Sequence, residues 1–257
     1  DDDGLVAHYK FDGNANDSSG NGNDGTLHGM TFVADRSGND KGACRFNGDG
    51  DWVSVPHSDS LVVNALSVSV WIRPTSWYSQ GGHGHFPIIC KSNNYGSEGS
   101  YRFQIEKYGD SDIRVDGVRS DIRTGEWQHV VIAVGDGQKQ VYLGGTLVGS
   151  SMHNGIVNKS DTLEIGRNIV GGTAYGYGEM DDLRIYNRAL TAAEVKALYE
   201  DGGGMPEAAT YTITFDANGG TPTPSVLTRK EGEAYGTLPT VAKSGFTFDG
   251  WYTAASG

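Results

Sequence analysis

Several residue groups have the types and spacing to do chemistry. Asp12, Asn14, Asn16 and Asp17 lie within six positions of one another. All carry side-chain oxygen, the ligand that calcium takes from carboxylates, amides and carbonyls. The same run, Asn14–Gly25, also reads as a solvated turn, because Asn and Asp tolerate left-handed backbone. His83 and His85 have the i, i+2 spacing of a transition-metal pair, but no further ligand accompanies them and a plain polar loop accounts for both. Trp77, Tyr78, His83 and His85 sit in one glycine-containing stretch, residues 75–86, and Tyr175 and Tyr177 in another, residues 171–178. Aromatic faces beside planar hydrogen-bonding groups suit sugars. The alternative is that these rings cap or pack on a hydrophobic core.

A third candidate surface comes from strand alternation. Leu66, Val68, Val70 and Ile72 fall on one face of a period-two run, leaving Trp71 and Arg73 on the other. By the same alternation Arg102, Gln104 and Arg114 point outward from their strands. A sheet sharing these residues would show either a binding face or ordinary cross-strand pairs. No G-x-S-x-G, H-E-x-x-H, phosphate-loop or EF-hand spacing occurs. No E-x-D-x-x-E run of the glucanase kind occurs either. These residues therefore point to binding rather than catalysis.

The elements that must position them are short strands. Thirty-nine glycines and abundant Tyr, Trp, Thr and Val in a 257-residue chain fit many strands joined by tight turns. No apolar stretch approaches the roughly 20 residues that span a bilayer. A formal net charge of −12 disfavours nucleic acid and anionic membranes. Cys44 and Cys90 both fall in strands, where alternation groups them with Phe46 and Ile88 facing a core. A disulfide and a pair of buried thiols are both open. Thr191-Ala192-Ala193-Glu194 spells a capping box, with Val195, Leu198 and Tyr199 as the apolar stripe of one helix. Glycines 202–204 and Pro206 end it.

Ordered pieces of residues 4–202 resemble the laminin-G-like, concanavalin A-like family. They include Y-K-F-D-G-N-A-N-D from Tyr9, G-A-C-R-F-N-G-D-G-D-W-V-S-V-P from Gly42, L-S-V-S-V-W-I-R-P from Leu66, G-E-W-Q-H-V-V-I-A-V from Gly125 and M-D-D-L-R-I-Y-N-R-A-L from Met180. The resemblance implies an all-β, two-sheet antiparallel jelly-roll sandwich with one short C-terminal helix. It implies a secreted or cell-surface setting and a structural calcium at the joined ends of the domain. Asp12 and Asp181 would be side-chain ligands, with Asn14 and Asp17 as further candidates and Asp182 as a neighbour. It makes Trp127 and His129 structural. After a linker at 203–209, Y-T-I-T-F, N-G-G and G-F-T-F-D-G-W-Y-T in residues 210–257 resemble the Listeria–Bacteroides repeat, a small β-grasp-like module expected here to be incomplete.

The expectation is a non-catalytic carbohydrate-binding module that holds a neighbouring catalytic domain on a polysaccharide. The rival is an adhesive or spacer module of a bacterial surface protein with a protein partner. A lyase or hydrolase with an unrecognised site is a third reading.

Overall fold

The computed structural model describes residues 3–80, 83–91, 101–108, 112–158, 160–169, 173–202, 210–230 and 236–252. The expected linker at 203–209 lies outside these, as do Gly81, Gly82, Gly171 and Gly172 of the two candidate loops. The chain divides into two compact units, Asp1–Gly204 and Met205–Gly257.

The first unit is a sandwich of two eight-stranded sheets. One sheet runs in the order Thr146–Met152, Gln138–Leu143, Gln128–Gly135, Leu66–Pro74, Tyr177–Tyr186, Ala43–Asn47 and Thr31–Val33. We call it the closing sheet, since Tyr177–Tyr186 ends the sandwich. The first half of that strand pairs with Ala43–Asn47 and the second half with Leu5–Tyr9, both on the same edge. The handover falls at a bulge between Asp181 and Arg184, where Asp182 takes a left-handed φ of 51°. The other sheet, here the arginine sheet, runs Val118–Arg119, Asp112–Val115, Arg102–Tyr108, His83–Cys90, Leu163–Ile165, Trp52–Val55 and Thr26–His28. Tyr78–Gln80 pairs with His83–Cys90 off this path.

Period-two alternation builds the core. Leu66, Val68, Val70 and Ile72 face inward with Val130, Ile132, Phe103, Ile105, Val53 and Val55. Asp136 and Gly137, both at positive φ, make the two-residue turn that joins Gln128–Gly135 to Gln138–Leu143, as a right-twisted hairpin requires.

The helix Ala192–Asp201 begins with the expected capping box, Thr191 accepting from the Glu194 amide and Glu194 from the Thr191 amide. Val195 and Leu198 bury against Val131, Tyr142, Tyr186 and Leu190. The helix therefore covers part of the outer face of the closing sheet with a second, smaller core.

Cys44 and Cys90 are buried on different sheets and form no disulfide with each other. Cys44 faces the core as alternation predicts. Cys90 does not follow Ile88. A register shift between Pro87 and Ile89 turns Ile88 and Ile89 both into the core, and moves Cys90 to the outer face beside the Asn168 amide. A bulge breaks strict alternation in this way.

In the second unit Thr210–Thr214 pairs with Val226–Lys230, and Thr221–Thr223 with Thr240–Ala242. Trp251 packs on Phe215 and Phe248 at 4.7 and 5.4 Å between ring centres, and its indole donates to the Pro239 carbonyl.

Candidate functional site

The two outer faces of the sandwich differ in what is left open. On the closing sheet Trp71 is only 5 % exposed. Its ring stacks on Tyr199 at 5.6 Å and lies 5.2 Å from His129. Gly202, the helix C-cap, fits because it has no Cβ, which would meet the indole nitrogen at 2.7 Å. Trp71 is therefore sealed between sheet and helix and presents no free ring face. Arg73 is committed as well, to Glu179 and to the Trp127 ring at 5.2 Å. Glu179 is buried and takes Arg45 as a second partner at 2.8 Å. Trp71 is thus covered and Arg73, though partly exposed, is tied to Glu179 and Trp127, and the sheet that carries Arg102 and Arg114 is the opposite one.

Alternation along the arginine sheet sends Phe103, Ile105 and Val115 inward and leaves Arg102, Gln104, Glu106, Tyr108, Asp112 and Arg114 on its outer face. Register aligns them in rows. Arg114 lies between Glu106 and Arg119, and Glu106 lies opposite His85. Tyr78 is paired with His85, and His83 with Tyr108; the side chains of Tyr78 and His83 are outside what the structure describes. The stretch expected as one loop is thus mostly a hairpin, Tyr78–Gln80 with His83–Cys90.

Arg102, Tyr108, Asp112 and Arg114 are half-buried. Arg114 holds Asp112 at 2.8 Å and its guanidinium lies 5.0 Å over Tyr108. This hydrogen bond holds the Asp112 carboxyl below the usual range. Burial and the nearby Glu106 push the Tyr108 phenol up.

A short ribbon, Arg167–Asn168 with Ala174–Tyr175, lies beside these rows. Asn168 donates to Gln104 at 2.8 Å, and both amides are buried. Trp52 stacks on His28 at 4.1 Å and 9°, with the Arg167 guanidinium 4.3 Å from its ring centre. Two groups this close to one ring must take opposite sides, so Trp52 is the middle of a sandwich. Tyr175 stands 6.3 Å from Trp52. Glu164 lies 3.3 Å from Arg167, yet burial still raises its carboxyl.

Residue reading overlooked Trp52, His28, Glu164, Arg167 and Asn168. The Trp52-Val53-Ser54-Val55 alternation carried the signal for Trp52. Nothing local placed the Arg167–Asn168 ribbon beside it.

Trp77 and Tyr177 stand apart from the rows. The Trp77 indole nitrogen is 3.3 Å from the Thr124 hydroxyl, and Trp77 packs at the margin of the core. Tyr177 is exposed at the start of the last strand and lies against Gly48.

The oxygen-rich N-terminal run is spent on local bonds. Asn14 donates to the Asp12 carbonyl and accepts from the Asn16 amide, while Asp12 is exposed. Asp17 accepts from the His8, Ser19 and Asn23 amides and the Ser19 hydroxyl at 2.9–3.0 Å. Burial pushes its carboxyl up, but these four donors prevail and hold it down. Asp181 is 4 % exposed and pairs with Arg36. Burial outweighs that partner and pushes its carboxyl up to about 7. Asp182 takes His8 at 2.6 Å and Arg184 at 3.1 Å. Among the described residues no group of three His, Cys, Asp or Glu side chains is placed to hold a metal ion.

Comparison with known proteins agrees with this architecture. The family model of the concanavalin A-like lectin/glucanases superfamily matches residues 47–196, and that of the Listeria–Bacteroides repeat domain matches 211–257. No curated protein matches the sequence. Among solved structures, domain 4 of AbnA, a GH43 extracellular arabinanase from Geobacillus stearothermophilus solved with arabinotriose, is similar at 24 % identity and TM-score 0.57. The match covers 76 % of this chain and 98 % of that one. The binding domain of botulinum neurotoxin DC is similar at 17 % identity. Its complex with rat synaptotagmin II gives a TM-score of 0.59 and its complex with SialylT 0.58; each match covers 83 % of this chain and 58 % of the other. At such identities the likeness is one of fold. The chain belongs to the concanavalin A-like lectin/glucanases superfamily, and its second unit is a Listeria–Bacteroides repeat domain.

Proposed function

We propose that the first unit is a non-catalytic carbohydrate-binding module that works outside the cell, and that its ligand lies along the outer face of the arginine sheet. One observation carries this reading. The helix covers the Trp71 region of the closing sheet's outer face, whereas the arginine sheet presents half-buried guanidinium, carboxylate and phenol groups in rows, with Tyr175 and the Trp52 sandwich at one end. Planar donors and acceptors beside rings match the hydroxyls and C–H faces of a sugar.

The arginines of this face have carboxylate partners, Arg114 with Asp112 and Arg167 with Glu164. In a chain of net charge −12, that balance favours a neutral polysaccharide over an acidic one. The arabinotriose in the related arabinanase domain is a ligand of that kind. The rival reading, adhesion to a protein, draws on the synaptotagmin complex of the neurotoxin domain.

Affinity electrophoresis of the 257-residue chain through gels containing arabinan, xylan, β-glucan or polygalacturonate tests the proposal. Retardation by at least one neutral polymer is expected, without release of reducing sugar. Tyr175→Ala and Arg102→Ala should each weaken it roughly tenfold, about 1.4 kcal/mol. Migration unchanged in every gel would remove the carbohydrate reading and leave the protein partner.

A further inference from the structure

The family resemblance places a calcium ion where the two ends of the sandwich meet. Calcium takes six to eight oxygens with lone pairs to spare. Here Asp17 has filled both carboxylate oxygens with N–H and O–H donors, and Asn14 has used its amide on its own turn. Asp182 is held by His8 and Arg184.

We propose that Arg36 is the resident cation of this joint, standing in for the divalent metal, so that the fold does not depend on calcium. Its guanidinium pairs with Asp181 and lies 3.8 Å from Asp182. Its Nε donates to the Gly202 carbonyl at the helix C-cap. Its central carbon stands 4.8 Å over the Trp71 ring. One planar group thus meets a buried carboxylate, a helix-end carbonyl and an aromatic face, each of which favours a cation. A calcium ion satisfies the carboxylates but has no use for the indole face. The guanidinium uses all of these partners and comes with the chain. The position follows from local sequence, since Arg36 sits in the turn between Thr31–Val33 and Ala43–Asn47, which borders the Asp181 bulge.

The test is thermal unfolding of the 257-residue chain in EDTA and in saturating calcium chloride, together with calorimetric titration of calcium. For the wild type, equal Tm in the two solutions and no binding heat are expected. In EDTA, Arg36→Gln should lower Tm by roughly 6–12 °C, as expected when a buried pair loses one partner. In an Asp181→Asn background the same change should cost less than half as much, because the charge it answered is gone. A merely structural contact would cost the same in both backgrounds, and that result would overturn the proposal. So would stoichiometric calcium binding by the wild type, or a wild-type Tm that falls in EDTA. These wild-type readouts decide the matter even if Arg36→Gln does not fold.

Discussion

Trp71 shows how one ring can serve stability alone. It bridges sheet, helix and Arg36, so Trp71→Ala opens a cavity between the sheet and the end of the helix. A loss of about 3–5 kcal/mol is expected from a chemical denaturation midpoint, with gel retardation of the surviving folded protein unchanged. Its neighbour His129 carries the clearest pH signature. Burial holds that imidazole down to about 3, and its Nε2 meets the Ser69 hydroxyl at 2.8 Å. It is therefore neutral in the fold, while the unfolded chain protonates near 6.5. The stability this group contributes is complete above about pH 6.5 and is lost as pH falls toward 3. Each pH unit within that window costs about 1.4 kcal/mol. Urea midpoints measured at pH 7 and pH 5 should differ by correspondingly more in the wild type than in His129→Asn.

At the scale of elements, the helix and the ribbon decide which surface stays open. The helix depends on its first turn, where Glu194 also pairs with Arg188 at 2.7 Å and these bonds hold its carboxyl down to about 2. Thr191→Ala removes the N-cap and should cost about 1 kcal/mol, read as a lower Tm. The capping box and the Val195, Leu198, Tyr199 stripe were legible because both are local patterns. The alternation of Leu66 to Ile72 was legible for the same reason. It divides a strand into two faces but says nothing of what covers the second, and so it left Trp71 exposed. The Cys90 face was misread because a bulge is a mismatch between two strands, and one strand's sequence does not contain it. The Trp52 and Arg167 pairing spans more than a hundred residues and depends on Leu163–Ile165 lying between Trp52–Val55 and His83–Cys90. Arg36 likewise sat unremarked in a polar turn, since only the folded sandwich sets it against Asp181.

For the whole molecule, the two compact units and their separate family matches predict separable stability. A fragment of residues 1–204 should melt at the same temperature as the first unit in the longer chain, within about 2 °C, when followed by calorimetry. A larger drop would mean that the repeat supports the sandwich.

The pairing of the first and last strands of the sandwich also governs how it meets tension. Leu5 lies opposite Tyr186, so a pull applied through the backbone at both residues opens their antiparallel bonds one after another, like a zipper, instead of shearing them together. The helix follows Tyr186, however, and its last carbonyl is gripped by Arg36. Force entering at Gly202 must first break that grip and strip the helix from Trp71. Tension that enters at Gly202 is thus carried by a side-chain clasp and a stacked ring, and tension that enters at Leu5 by the end of a strand pair.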